Sequence, residues 1–188
     1  GYVYEDGNND GIKGGTEAGI VGVTVTLSGS DVNGNAITTS SQLTIAGGAY
    51  SFTGLPAGTF TVVETQAAAY LDGKDTSGTP PGTVTNDQIA GISLVAGGAG
   101  VNHNFGELFP GGISGHVYID PNGSNTFNVG DTRLSGVVVT LNTGATTTTD
   151  INGAYSFTNL PAGTYTVVET QPSIYTNGKT INNGLVTG

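Results

Sequence analysis

Between residues 6 and 17 the chain reads Asp-Gly-Asn-Asn-Asp-Gly-Ile-Lys-Gly-Gly-Thr-Glu. Side-chain oxygens stand at the first, third, fifth and twelfth places, on Asp6, Asn8, Asp10 and Glu17. Gly11 holds the sixth place and Ile12 the seventh. This is the spacing of the twelve-residue calcium loop, D-x-[DN]-x-[DN]-G-x5-E. Ca2+ is a hard cation that gathers about six to eight oxygens. A glycine at the sixth place allows the sharp turn that points the first three side chains at one centre. Ile12 would add its backbone carbonyl, and Glu17 is long enough to close the sphere with both oxygens. Asp, Asn and Gly also build solvated turns without any ion. What separates the two readings is the full match, with an acid at each end. The flanks read as strands, so the opening helix pair of an EF-hand is not expected.

A second, poorer version follows at Asp120, Asn122, Ser124, Thr126 and Asp131. Ser124 replaces the acid at the fifth place, Asn125 stands where glycine belongs, and Asp131 is a shorter closing residue than Glu. Fewer charges and a poorer turn predict weaker calcium binding there, or none.

The loops recur because the chain repeats itself. Tyr50–Gln66 returns as Tyr155–Gln171, differing only at Gly54/Asn159 and Phe60/Tyr165. Val21–Leu27 returns as Ser135–Leu141 at a larger offset, which implies extra loop in the first copy. Self-similarity of this kind defines the architecture. The segments alternate with a period of two, the mark of half-buried strands. Val21, Val23, Val25 and Leu27 share one face; Phe60, Val62 and Glu64 share another. Strands are expected at 1–4, 20–28, 36–45, 49–53, 59–66, 88–95 and 100–107, with a long loop over 70–82. The fold class is therefore all-β: two tandem antiparallel seven-stranded β-sandwiches, the second incomplete at its C-terminal end. The boundaries read 1–108 for the first repeat, 109–112 for a linker and 113–188 for the second. Pro110 and two apolar neighbours limit motion across the linker, and Gly111-Gly112 is the expected pivot. Asp31-Val-Asn-Gly-Asn35 reads as a hairpin turn, not a ligand set.

The chain of 188 residues carries a net charge of −10. That excludes nucleic acid and anionic membrane surfaces as partners, since both need basic clusters. Residues 1–110 hold ten acids and two lysines, and three of those acids lie in the first loop. No apolar run is long enough to cross a membrane. No cysteine is present, so disulfides play no part. With no initiator Met and no signal peptide, the chain reads as an internal piece of a longer protein. The second copy stops before the counterparts of the first copy's last strands. Either following chain completes it, or another subunit donates the missing strands.

Other candidate chemistry is thin. Glu64, and Glu169 after it, shares a strand face with large apolar residues. Each is either at the strand's rim or buried with partners and a raised pKa. His103 and His116 are expected on solvent-facing strand positions. No Ser, His and Asp arrangement suggests a nucleophile. Asn122-Gly-Ser124 is formally a glycosylation sequon but reads better as a turn. Thr146–Thr149 suits an exposed strand or O-linked sugar.

In combination, the first loop, Glu17-Ala-Gly-Ile-Val-Gly-Val-Thr-Val-Thr-Leu27, Tyr50-Ser-Phe-Thr-Gly-Leu-Pro-Ala-Gly-Thr59, Tyr70-Leu-Asp-Gly-Lys-Asp-Thr76 and Asn102-His-Asn-Phe-Gly-Glu107 resemble the SdrD B-like domain family. The resemblance implies prealbumin-like, Cna-B-type sandwiches strung in arrays along bacterial surface or secreted proteins. It implies structural calcium at Asp6, Asn8, Asp10, Ile12 and Glu17, with neighbouring repeats as the natural partners. Related Cna-B domains form a Lys–Asn isopeptide bond beside a buried Glu. Glu64 and Glu169 resemble that Glu, but the first strand holds no Lys, so no cross-link is expected. The function expected is a non-catalytic spacer of an extracellular repeat protein, stiffened by calcium. The alternatives are a filament subunit completed by a neighbour's strand, or an adhesin-type module presenting Asp31–Ala36 or Leu71–Gly82 to a host protein or glycan.

Overall fold

The computed structural model describes residues 1–176, 178, 180–182 and 185–187. They fall into two compact units that meet at Pro110 and Gly111. The regular structure of the described residues is β throughout, apart from one 3-10 turn at Ala46–Gly48.

The first unit contains β1 (Val3–Glu5), β2 (Thr24–Asp31), β3 (Ser40–Leu43), β4 (Gly58–Glu64), β5 (Leu71–Asp72), β6 (Thr83–Thr85), β7 (Gln88–Leu94) and β8 (Phe105–Leu108). Five strands form one antiparallel sheet in the order β3-β2-β4-β7-β6. Three form another, β1-β8-β5, in which β1 and β8 run parallel. The core joins the sheets: Val25, Leu27, Phe60, Val62, Ile89 and Ile92 from the larger meet Val3 and Phe105 from the smaller, with Tyr50 between strands. Period-two alternation on β4 buries Phe60, Val62 and Glu64 on one face, as their spacing predicts.

Several sequence expectations shift. Val21 is 62% exposed and not on the core face of its strand. Gly22, with φ 85°, turns the chain after it, and the ladder begins only at Thr24. Residues 49–53 form no strand; Ala49 makes one bridge to Tyr2, although Tyr50 still reaches the core. The stretch 36–45 narrows to β3. Residues 70–82 are not simply a loop, for β5 and the bridges Thr76–Asn104 and Thr79–Val101 tie them down. β6 has no counterpart among the expected strands, and the β1–β8 pairing is parallel where an antiparallel sandwich was expected. The unit thus has eight strands in two sheets, not seven.

The second unit contains β9 (Gly111–His116), β10 (Tyr118–Ile119), β11 (Thr132–Arg133), β12 (Val138–Leu141), β13 (Thr146–Thr148), β14 (Ala154–Leu160), β15 (Val167–Glu169), β16 (Thr180–Asn182) and β17 (Leu185–Thr187). They pair as β13-β12-β15, β14-β9, β10-β11 and β16-β17. A smaller core gathers Val117, Val137, Val139, Leu141 and Phe157. Among the described residues these short sheets do not assemble into the sandwich, incomplete at its C-terminal end, that the repeat predicts. Gly111 lies opposite Leu160 in the β9–β14 ladder, so the glycine pair is strand and not a free pivot.

One device is common to both units. The buried Thr44 hydroxyl donates to the Ile20 carbonyl at 2.7 Å and accepts the Val23 N–H at 2.9 Å. Thr149 does the same with Leu134 and Val137, at 2.7 and 2.9 Å. Each threonine satisfies two backbone groups where the chain leaves its loop and enters the sheet.

Candidate metal centre

The first loop leaves β1 at Asp6 and returns beside it. Its base is closed by the Glu5 N–H donating to the Ala18 carbonyl and the Ile20 N–H donating to the Val3 carbonyl, each at 2.9 Å. The Asp6 N–H donates across to the Glu107 carbonyl on β8 at 2.8 Å. Asp6 is fully buried. Its Oδ1 accepts the Asp10 N–H at 3.1 Å and its Oδ2 the Gly11 N–H at 2.7 Å. Asn8 Oδ1 also accepts from the Asp10 N–H, at 3.1 Å, and Asp10 Oδ1 accepts the Ile12 N–H at 2.7 Å. Gly11 takes φ 80°, and its N–H faces the buried carboxylate as the spacing requires. Glu17 Oε2 accepts the Gly14 N–H at 2.7 Å. From outside, Lys74 Nζ donates to the Asp10 carbonyl at 3.2 Å and the Thr76 hydroxyl to the Gly11 carbonyl.

The donor set is entirely oxygen, which suits Ca2+. Each Asp6 oxygen accepts one N–H and keeps a further lone pair. Beside it the buried Tyr4 hydroxyl has no hydrogen-bond partner. Burial first, then the charges of Asp6, Glu17 and Asp10, push that phenol's pKa up. The residues therefore fit a calcium ion. Asp6, Asn8 and Asp10 are organised by one set of turns, whereas Glu17 is held on Gly14. Asp6, Asp10 and Glu17 are not drawn into a set within 4.8 Å of one another. Ile12 is exposed.

The second loop copies the turns. Asp120 accepts the Ser124 N–H at 3.1 Å and the Asn125 N–H at 2.8 Å; Asn122 Oδ1 accepts the Ser124 N–H at 2.9 Å. Asn125 adopts φ 63° in Gly11's place, since Asn tolerates the left-handed region, so the turn itself is not impaired. The difference lies elsewhere. The Asn128 amide donates to Ser124 Oγ at 2.5 Å and to the Thr126 carbonyl at 2.9 Å. Two of the expected ligand oxygens are thereby engaged. Asp131 Oδ2 accepts the Asn128 N–H at 2.8 Å.

Away from the loops, Asp31 accepts both the Asn33 and Asn35 N–H groups at 2.9 Å, which is a turn. His103 is buried, contrary to the solvent-facing expectation, and its Nδ1 accepts the Gly78 N–H at 3.3 Å. Tyr50 donates to the His103 carbonyl at 2.6 Å, which draws this segment under the core. Burial first, then the charge of the N-terminal amine, push the imidazole's pKa down. His116 is exposed. Of the two open readings of Glu64, burial is the observed one, with 2% of the side chain exposed; Glu169 is exposed.

Nothing local in the sequence announces what Glu64 faces. Its carboxylate lies within 4.8 Å of those of Asp87 and Glu107, and Asp72, Asp75 and Asp87 form an adjoining set. The motifs Leu71-Asp-Gly-Lys-Asp75 and Asn-Phe-Gly-Glu107 were visible only as family signatures. Nothing in their spacing says that they converge on β4.

The chain matches the SdrD B-like domain family over residues 1–99 and 111–184. It belongs to that family. Among curated relatives, serine-aspartate repeat-containing protein F of Staphylococcus epidermidis is 37% identical over 190 residues, covering 97% of this chain and 11% of the relative. Serine-aspartate repeat-containing protein D of Staphylococcus aureus (strain Newman) is 36% identical over 188 residues, covering 93% of this chain and 13% of the relative. The chain thus spans about a tenth of the length of these relatives. Among solved structures, the minor pilin GBS52 of Streptococcus agalactiae aligns over 99% of this chain and 87% of its own, with 14% identity and a TM-score of 0.39. Similarity at that level is too loose to define a shared fold.

Proposed function

We propose that this chain is a non-catalytic structural spacer, two repeats of an extracellular bacterial protein, in which Ca2+ stiffens the first loop. The observation that carries this is the buried Asp6, whose two oxygens organise the loop backbone while its own N–H is tied to β8. An ion held there by Asp6, Asn8, Asp10, the Ile12 carbonyl and Glu17 would couple loop order to the smaller sheet. Family membership and the serine-aspartate repeat relatives support the placement in a long repeat protein on or outside the cell, with neighbouring repeats as partners. Occupancy at a free calcium concentration 100 times Kd adds about 2.7 kcal/mol, a large share of a domain's usual stability. Calorimetry with calcium and then with chelator tests it: the first unit's melting temperature should rise with the ion, and an unchanged Tm removes calcium from the account.

A second reading is a filament subunit completed by a neighbour's strand. It draws on β15, which among the described residues pairs only with β12 and exposes Val167 and Val168. Light scattering at high protein concentration separates the two: a chain that stays monomeric excludes strand donation.

A further inference from the structure

Glu64 ends β4 in the larger sheet, and Glu107 lies on β8 in the smaller one. Asp87 sits in the turn between β6 and β7, and its carbonyl accepts the Glu64 N–H at 2.9 Å. Glu64 is 2% exposed and Glu107 fully buried. Burying an ionised carboxylate is unfavourable unless something compensates it. For Glu64 no amide, hydroxyl or cation of the protein does: both of its oxygens are buried without such a donor, and the group it meets is the Glu107 carboxyl. Glu107 has one oxygen satisfied by the Gln66 amide and the other orphaned, and Asp87 Oδ1 is orphaned as well. Two facing carboxylates cannot bond to each other without a proton between them. The unit's two lysines are engaged elsewhere, Lys13 on the Glu17 carbonyl and Lys74 on that of Asp10.

We propose that Glu64, Asp87 and Glu107 form a second divalent-cation site, filled by Ca2+, which ties the two sheets of the first unit together. The orphaned oxygens of all three residues supply the ligands. An all-carboxylate set with neither His nor Cys favours calcium over softer metals. Asp72 and Asp75 extend the negative field toward the surface, where Asp72 is exposed, and give the ion a route inward. The site shares no ligand with the first loop and does not depend on it. In the second copy Glu169 stands at the position matching Glu64, while Asn177 and Thr180 stand where Asp72 and Asp75 do, so the two flanking aspartates are not repeated.

Native mass spectrometry of the whole chain, titrated with Ca2+ alone, tests this. The Glu64→Gln/Glu107→Gln variant should hold one ion fewer than the unsubstituted protein at the same free calcium, while Asp10→Asn should lose a different one. Asp87→Asn, at a half-buried turn, should weaken the same ion as the Gln pair by about tenfold or more. Equal ion counts and affinities in the unsubstituted protein and both cluster variants overturn the site and leave the loop untouched. Loss of an ion from the cluster variants but not from Asp10→Asn sinks the loop reading and keeps this one. Folding is checked in chelator, where relief of carboxylate crowding should leave the Gln variant at least as stable as the parent. Should it fail to fold there, Asp87→Asn decides the matter by the same ion count.

Discussion

The strand Gly58–Glu64 and its counterpart over residues 163–169 differ by one hydroxyl, Phe60 against Tyr165, yet their surroundings are opposite. In the first copy Phe60 is 1% and Val62 5% exposed, with β2 on one side and β7 on the other. In the second Val167 is 37% exposed, Tyr165 is half-buried, and the ladder shrinks to three residues against β12 alone among the described residues. Near-identical sequence thus has two neighbouring strands in one place and, among the described residues, one in the other. What decides is whether a neighbouring strand is there to receive the outward row of N–H and C=O groups and to cover the apolar face. The two glutamates follow suit, one sealed among carboxylates and the other in water.

That contrast can be broken most forcefully by pH, with all metal removed. Burial first, then the charges of Glu107 and neighbouring aspartates, raises the Glu64 pKa from 4.5 to about 9. Burial likewise raises Glu107 and Asp75 to about 7. A carboxyl raised in the folded state holds more protons folded than unfolded. Stability is therefore greatest at the acid end and falls as pH climbs from about 4.5 towards about 9, by up to about 1.4 kcal/mol per pH unit for each proton released. Chelated protein melted across this range should lose first-unit stability toward alkaline pH, and Glu64→Gln should flatten the slope. Glu169→Gln should change little; a slope that survives Glu64→Gln would place its origin elsewhere.

Side-chain truncation comes next. Phe60→Ala should cost about 3–5 kcal/mol and Tyr165→Ala about 1 kcal/mol or less, read by hydrogen exchange within each unit. Equal losses would mean that both strands are equally covered in solution. Calcium follows: its addition at 100 times Kd should raise stability by about 2.7 kcal/mol in the first unit alone. Replacing Ser124 by Asp and Asn128 by Ala together should free the second loop's oxygens and give that unit a calcium-dependent melt of its own. Continued indifference to calcium would show that more than the Asn128 amide bars the ion. Last comes the shared device: Thr44→Val and Thr149→Val should each cost about 1–3 kcal/mol by leaving a backbone N–H and a carbonyl unsatisfied. Their costs should match between units, as no other pair's do.

The parts of this molecule that were legible in the sequence are those set by neighbours along the chain. Asp6, Asn8 and Asp10 organise N–H groups two to five residues away, so their spacing sufficed. The same holds for the Asp31 turn and for the face of β4, which period two dictates. Val21 misled because Gly22 interrupts an alternation that the letters continue. What stayed hidden depends on contacts far along the chain. The parallel meeting of β1 with β8 joins Val3 to Phe105, and the carboxylate cluster unites positions 64, 87 and 107 from three separate strands and turns. His103 looked like a strand's outer residue because no local pattern announces that Tyr50 will draw it under the core.

The parallel register of β1 on β8 bears on how the proposed spacer would resist tension. Val3, Tyr4 and Glu5 lie beside Phe105, Gly106 and Glu107, at opposite ends of one unit yet pointing the same way. A load drawn through the chain tugs the two strands past each other in opposite senses, so their bonds are strained side by side and must break together. Had the terminal strands run antiparallel, the same load would have peeled them apart one bond at a time. Stretching single molecules by their ends would reveal this as an abrupt, high-force rupture of the first unit instead of a gradual yielding.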